Sequence, residues 1–140
     1  MQSEADDRHL RQRSVKTLAW LGDAEFEREV RLRLARRGDY SVDRLDKARA
    51  RIVNAGAQAE LLAELLAAGV LDEAEEAVVR RGRNTALRGA GHRRGTVREY
   101  RAATALEALM AWWLLGGQRA RFEALIIPAI EARVDAQLGD

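Results

Sequence analysis

Two acidic residues sit where a helical wheel expects core. Glu107 is the sole charge in the stretch Ala102–Leu115, AATALEALMAWWLL. At 100° per residue, Tyr100, Ala103, Met110, Ala111 and Leu114 all fall within about 60° of it. Asp23 lies close to the centre of a second apolar face, formed by Val15, Ala19, Phe26, Val30 and Leu34. A carboxylate on an apolar face is costly to bury unless it is protonated, paired with Arg or bound to a metal. Arg is plentiful, so a structural salt bridge accounts for either acid taken alone. Two such acids on the two most central helices also suit a shared metal site. Glu27, one turn beyond Asp23 at the edge of the same face, is placed to assist it. Glu25 and Glu29 read as a solvated helix face.

The composition limits which ion such a site can hold. The chain has no Cys, which excludes disulfides and thiolate metal sites. His9 and His92 are the only imidazoles, which argues against a His-rich zinc site. A metal would therefore rest on carboxylates, which points to Mg²⁺, Mn²⁺ or Ca²⁺. Mg²⁺ takes one or two carboxylates plus waters. Such an ion can polarise a phosphodiester and lower the pKa of a water nucleophile.

A second constellation is basic. The segment Arg80–Arg101 holds Arg80, Arg81, Arg83, Arg88, Arg93, Arg94, Arg98 and Arg101, with His92, four glycines and Glu99 as its only acid. A Gly-rich, Arg-rich loop running into the Glu107 helix suits a nucleic-acid backbone. The bland alternative is a solvated surface loop. Tyr100 is its only aromatic, which argues against base stacking on single strands. Contacts to the phosphates and 2′-hydroxyls of a duplex fit better. Trp20, Trp112 and Trp113 read as core packing, and any exposed one as a dimer interface.

The elements that must position these residues are helical. The 140 residues suit one domain, with 47% hydrophobic and 33% charged residues, a single Pro and a net charge of +2. Residues 1–13 read as a polar lead-in without the apolar core of a secretory signal, and residues 14–138 as the folded domain. No apolar run approaches a membrane span, so the expectation is a cytoplasmic protein. The spacing predicts a long helix from Ser14 to Arg37, closed by Gly38. A helix from Val42 to about Ala55 follows, capped by Ser41, then a short one over Ala57–Ala68 ending at Gly69. Asp72 and Glu75 have capping spacing for a helix that stops at Gly82. Residues 83–95 form the longest irregular stretch. Thr96 with Glu99 opens the central helix as a capping box, and Gly116-Gly117 end it. The last helical region, from about Arg119 to Gln137, should split near Ile127 at Pro128. The whole is an all-α domain of six or seven helices.

Several of these stretches carry a family resemblance. Leu18-Ala19-Trp20-Leu21-Gly22-Asp23-Ala24 resembles the signature of the ribonuclease III catalytic domain. Asp43–Asn54 followed by Ala57–Leu65, then Arg80-Arg81-Gly82-Arg83-Asn84, then Tyr100–Trp113 around Thr104-Ala105-Leu106-Glu107, complete the pattern in order. The resemblance stops with that domain, and the expectation is a protein without a double-stranded RNA-binding domain. The chain carries Ala19 and Thr104 where the family has two further acids. These departures resemble the Mini-ribonuclease III branch.

The resemblance implies a dimeric, Mg²⁺-dependent nuclease for double-stranded RNA, with Mn²⁺ as a substitute ion. It implies cytoplasmic maturation of 23S ribosomal RNA precursor, by hydrolysis that leaves a 5′-phosphate and a 3′-hydroxyl. Asp23 and Glu107 would be the metal-binding catalytic pair, with Thr104 and Glu27 supporting them from behind. Arg81, Arg83, Asn84, Arg88, His92, Arg93 and Arg94 would contact RNA. A non-catalytic RNA-binding protein of the same fold is the main alternative. A helical adaptor without an RNA role is the third.

Overall fold

The computed structural model describes residues 9–85 and 96–139. Among them are seven helices and no strand. In chain order they are α1 (Val15–Arg36), α2 (Val42–Val53), α3 (Ala55–Ala68), α4 (Glu73–Thr85), α5 (Val97–Leu115), α6 (Arg119–Leu125) and α7 (Ile127–Leu138).

Local chemistry sets most of the boundaries. Ser14, Ser41 and Asn54 each accept a backbone N–H of the first turn of α1, α2 and α3. Two reciprocal capping boxes open α4 and α5. Asp72 and Glu75 exchange bonds of 2.8 and 2.7 Å, and Thr96 and Glu99 bonds of 3.0 and 2.9 Å. Pro128 stands in the first turn of α7 and separates it from α6 at Ile126.

Helix α5 is the axis of the molecule. It packs most extensively on α1, then on α4 and α3. Leu106, Leu109, Met110 and Trp113 are fully buried on it, joined by Phe26, Val30 and Leu34 of α1 and Phe122, Ile126 and Ile130 from the C-terminal helices. Two glycines permit the closest crossings. A Cβ on Gly22 of α1 would overlap the Glu107 carbonyl oxygen. One on Gly82 of α4 would sit 2.6 Å from the Ala105 Cα. Gly22 thus seats α1 directly against the backbone that carries Glu107.

Three expectations require correction. Gly82 does not stop α4, which continues to Thr85 and makes Arg83 and Asn84 helical. Its role is close packing, and that overrides its low helix propensity. Glu29 is not solvated. It is 5% exposed, and Arg28, Arg33 and Arg119 all reach it. Trp20 is not core. It is 73% exposed, whereas Trp113 is fully buried. The buried face of α1 centres on Gly22, Phe26 and Glu29, which leaves Trp20 on the solvent side.

Residues 9–11 are helical, and Arg11 lies over the Trp112 ring at 3.5 Å from its centroid. The same guanidinium donates to Gln118 at 3.3 Å.

Candidate active site

Asp23 and Glu107 meet where α1 crosses α5. Asp23 comes directly after Gly22, whose missing side chain allows the crossing. It lies about 70° from the centre of the buried face of α1 and is exposed, so it edges the core instead of entering it. Glu107 is the more enclosed of the two. Its carboxyl lies within hydrogen-bonding reach of Asp23 and is pushed up to about 8. Burial is the largest cause, and the charge of Asp23, its hydrogen bond and the charge of Glu27 act in the same direction. Burial and the neighbouring acids therefore favour the protonated form of Glu107 at neutral pH.

One donor opposes that trend. Gln58 of α3 is 3% exposed, and its Nε2 donates to Glu107 Oε2 at 3.1 Å and to the Val53 carbonyl at 2.9 Å. Its Oε1 is buried and has no hydrogen-bond partner among the described residues. Gln58 is not among the residues that sequence pattern marks for the site. Its only signal was an amide on the apolar face of a helix otherwise lined by leucines, at Leu61, Leu62 and Leu65.

The other expected residues are placed as follows. Thr104 is buried one turn before Glu107. Glu27 is half-buried and accepts from Arg31 at 3.1 Å and from Arg49 at 3.0 Å. Arg81, Arg83 and Asn84 are exposed on α4. Arg83 and Asn84 line a cleft of about 730 Å³ with Arg98 and Arg101 of α5. Arg88, His92, Arg93 and Arg94 lie outside the described residues.

The donor set suits a hard divalent cation. Two carboxyls lie side by side, and an unpartnered amide oxygen is buried next to Glu107. No cluster of three or more His, Cys, Asp or Glu that could hold a metal ion occurs among the described residues. A site of two carboxylates completed by waters is the pattern for Mg²⁺. Binding would displace the Glu107 proton.

Residues 16–118 match the model of the ribonuclease III domain. The chain is 43% identical over 115 residues to Mini-ribonuclease 3 of Symbiobacterium thermophilum, covering 82% of this chain and 86% of the relative. It is 37% identical over 126 residues to Mini-ribonuclease 3 of Brevibacillus brevis, covering 90% and 92%. The crystal structure of protein FN1578 from Fusobacterium nucleatum superposes with a TM-score of 0.73 at 31% identity, over 87% of this chain and 96% of that one. With its helical fold, its paired acids on α1 and α5 and relatives matched along most of their length, the chain belongs to the ribonuclease III family of endoribonucleases, beside the Mini-ribonuclease 3 proteins.

Proposed function

We propose that the protein hydrolyses double-stranded RNA with Mg²⁺ as its ion, at a site formed by Asp23 and Glu107. The meeting of these two carboxyls at one helix crossing carries this reading, because a fold-only role would not need two repelling acids side by side. A divalent cation there would neutralise the scissile phosphodiester and lower the pKa of the attacking water. The chain's own residues do the positioning. Asp23 and Glu107 present oxygens from two helices locked by Gly22. Gln58 fixes the rotamer of Glu107 through Oε2. Glu27, held in place by Arg31 and Arg49, stands close enough for its charge to act on Glu107.

The exposed Trp20 stands on α1 one turn before Asp23 and supports a homodimer. A two-fold pair would place one site on each strand of a duplex. The relatives are named Mini-ribonuclease 3, which supports action on RNA, and we extend this to maturation of the 23S ribosomal RNA precursor in the cytoplasm. No helix among the described residues is long and apolar enough to cross a membrane.

The test is cleavage of a duplex RNA in Mg²⁺ with an EDTA control. Asp23→Asn and Glu107→Gln should each abolish cutting while the circular dichroism spectrum keeps its helical form. Near-normal cutting by either variant would remove that residue from the site. Duplex binding without any cutting by the wild type would instead favour a non-catalytic RNA-binding protein.

A further inference from the structure

Glu29 is a buried acid that the nuclease site does not use. Three guanidiniums reach it. Arg33 holds it firmly. Its Nη1 donates to Glu29 Oε1 at 2.6 Å and to the Glu29 carbonyl at 3.2 Å, and the Arg33 side chain is itself largely buried. This one partner already balances the carboxylate. Arg28 and Arg119 add only long contacts to Oε2, each at 3.4 Å, and their side chains stay mostly exposed. Three like charges gathered on one carboxylate repel one another. Exposed ion pairs contribute little to stability. The fold therefore gives no reason for the second and third arginine.

These residues line a groove of about 400 Å³ between α1, α6 and the start of α7. Arg36 lines it too and has no ion pair among the described residues. Four arginines against two glutamates, Glu29 and Glu123, leave the lining two positive charges in surplus. Leu32 and Ile127 add apolar surface. Glu29 lies six residues beyond Asp23 on α1, about 9 Å along the axis and about 120° round it, so the groove is on a different face from the paired acids.

We propose that this groove binds a small phosphate ester or anhydride carrying at least two negative charges, with the guanidinium forks of Arg28, Arg36 and Arg119 donating to its phosphoryl oxygens. Glu29, fixed by Arg33, is the base that gathers two of those forks. The site is independent of the nuclease reading. Guanidinium forks match phosphate geometry, and charge-assisted bonds of this kind are the strong ones. Arg28 donates only from Nη1, and Arg119 only from Nε and Nη2, so each keeps unused N–H groups. A dianion balances the surplus charge of the lining and relieves the repulsion among the gathered guanidiniums. Leu32 and Ile127 offer contact to the organic part of an ester.

The experiment is calorimetric titration of the full chain with inorganic pyrophosphate, in metal-free buffer at constant ionic strength. Wild type should bind one equivalent. Arg28→Gln/Arg119→Gln changes mainly exposed side chains and should bind about tenfold more weakly or worse. Arg44→Gln/Arg51→Gln removes the same charge from the exposed surface of α2 and should bind as wild type does. Glu29→Gln keeps the side-chain shape and makes the lining more positive, yet it should also bind more weakly, because the forks lose their anchor. Tighter binding by Glu29→Gln, or equal weakening in the α2 variant, would reduce the groove to diffuse charge and overturn the proposal. No binding by wild type would overturn it as well. If circular dichroism shows that Glu29→Gln unfolds, the Arg28/Arg119 variant decides alone, and wild-type affinity there would overturn the site. Duplex cutting in Mg²⁺ by the Arg28/Arg119 variant should stay near wild type. Weaker duplex-RNA affinity in that variant would assign the groove to RNA and overturn the small-anion site. Cutting that persists while pyrophosphate fails to bind would leave the nuclease reading standing without this site.

Discussion

Gln58 Nε2 donates to Glu107 Oε2 at 3.1 Å, joining residues 49 positions apart in the chain. The same amide nitrogen also donates to the Val53 carbonyl, so the carboxylate is tied to the α2–α3 corner. Gln58→Leu keeps the apolar contacts of α3 and deletes the donor. Groups that orient a metal ligand in this way typically contribute about 10–100-fold in affinity or activity. The expected result is a rise of that order in the Mg²⁺ concentration for half-maximal RNA cutting. Stability should change by only about 1 kcal/mol. An unchanged Mg²⁺ dependence would reduce Gln58 to a structural tie.

The raised pKa of Glu107 has a definite sign. Its ordinary value is 4.5 and its folded value is about 8. Between those values the native state holds a proton that the unfolded chain has released. Without divalent ion, stability should therefore fall as pH rises through that window. Glu107→Gln cannot lose a proton there. Urea unfolding in EDTA should find this variant more stable than wild type at pH 9, by on the order of 2 kcal/mol or more, and close to it at pH 5. Parallel curves for the two proteins across this range would show that Glu107 titrates normally.

Much of this site was legible in the sequence, and the limits were physical. Asp23 and Glu107 stood out because a charge on an apolar wheel needs a cause, and the structure brings both to one crossing. The caps at Ser41 and Thr96, the helix start at Ser14 and the break near Pro128 depend on neighbours within four residues. These boundaries fall at or within a residue of the expected places, with Ser14 as cap instead of first helical residue. Glu29 was misread because one of its three partners, Arg119, lies 90 positions away. Gly82 was misread because a helix-breaking residue and a close-packing residue look alike until the opposing backbone of Ala105 is in place. Trp20 was misread because size predicts burial, while only the packed orientation of α1 shows which side faces solvent.

Gly22 and Gly82 should differ in what their replacement damages. Gly22→Ala drives a methyl group into the Glu107 backbone and must push α1 away from α5. Overpacking of this kind costs about 1–3 kcal/mol or more, and here it also displaces Asp23 from Glu107. Gly82→Ala meets the Ala105 Cα at 2.6 Å, a smaller overlap, while both replacements gain about 1 kcal/mol of helix propensity. Thermal melts should show the larger loss for Gly22→Ala, and RNA cutting should fall further than stability alone explains. Equal loss of stability and activity at both positions would argue against a special role for the α1–α5 crossing.

Glu75 is the counterpart of Glu107, an acid held charged by its surroundings. It is fully buried and accepts from Trp113 Nε1 at 2.6 Å, from Arg121 Nε at 2.7 Å and from Arg121 Nη2 at 2.8 Å. The hydrogen bonds from Arg121 are the main cause holding its pKa down at about 2, against an ordinary 4.5. The native state therefore stays ionised where the unfolded chain takes up a proton. The stability this contributes is complete above about pH 4.5 and is lost as pH falls toward 2. Glu75→Gln removes it, and at pH 7 should cost on the order of 2 kcal/mol, because the Arg121 guanidinium loses its partner and the buried indole N–H its charged acceptor. The gap between variant and wild type should narrow as the pH is lowered from 4.5. Trp113 fluorescence during denaturation, followed for both proteins at pH 7 and pH 3, measures that gap directly, and a gap independent of pH would show that Glu75 acts by shape and not by charge.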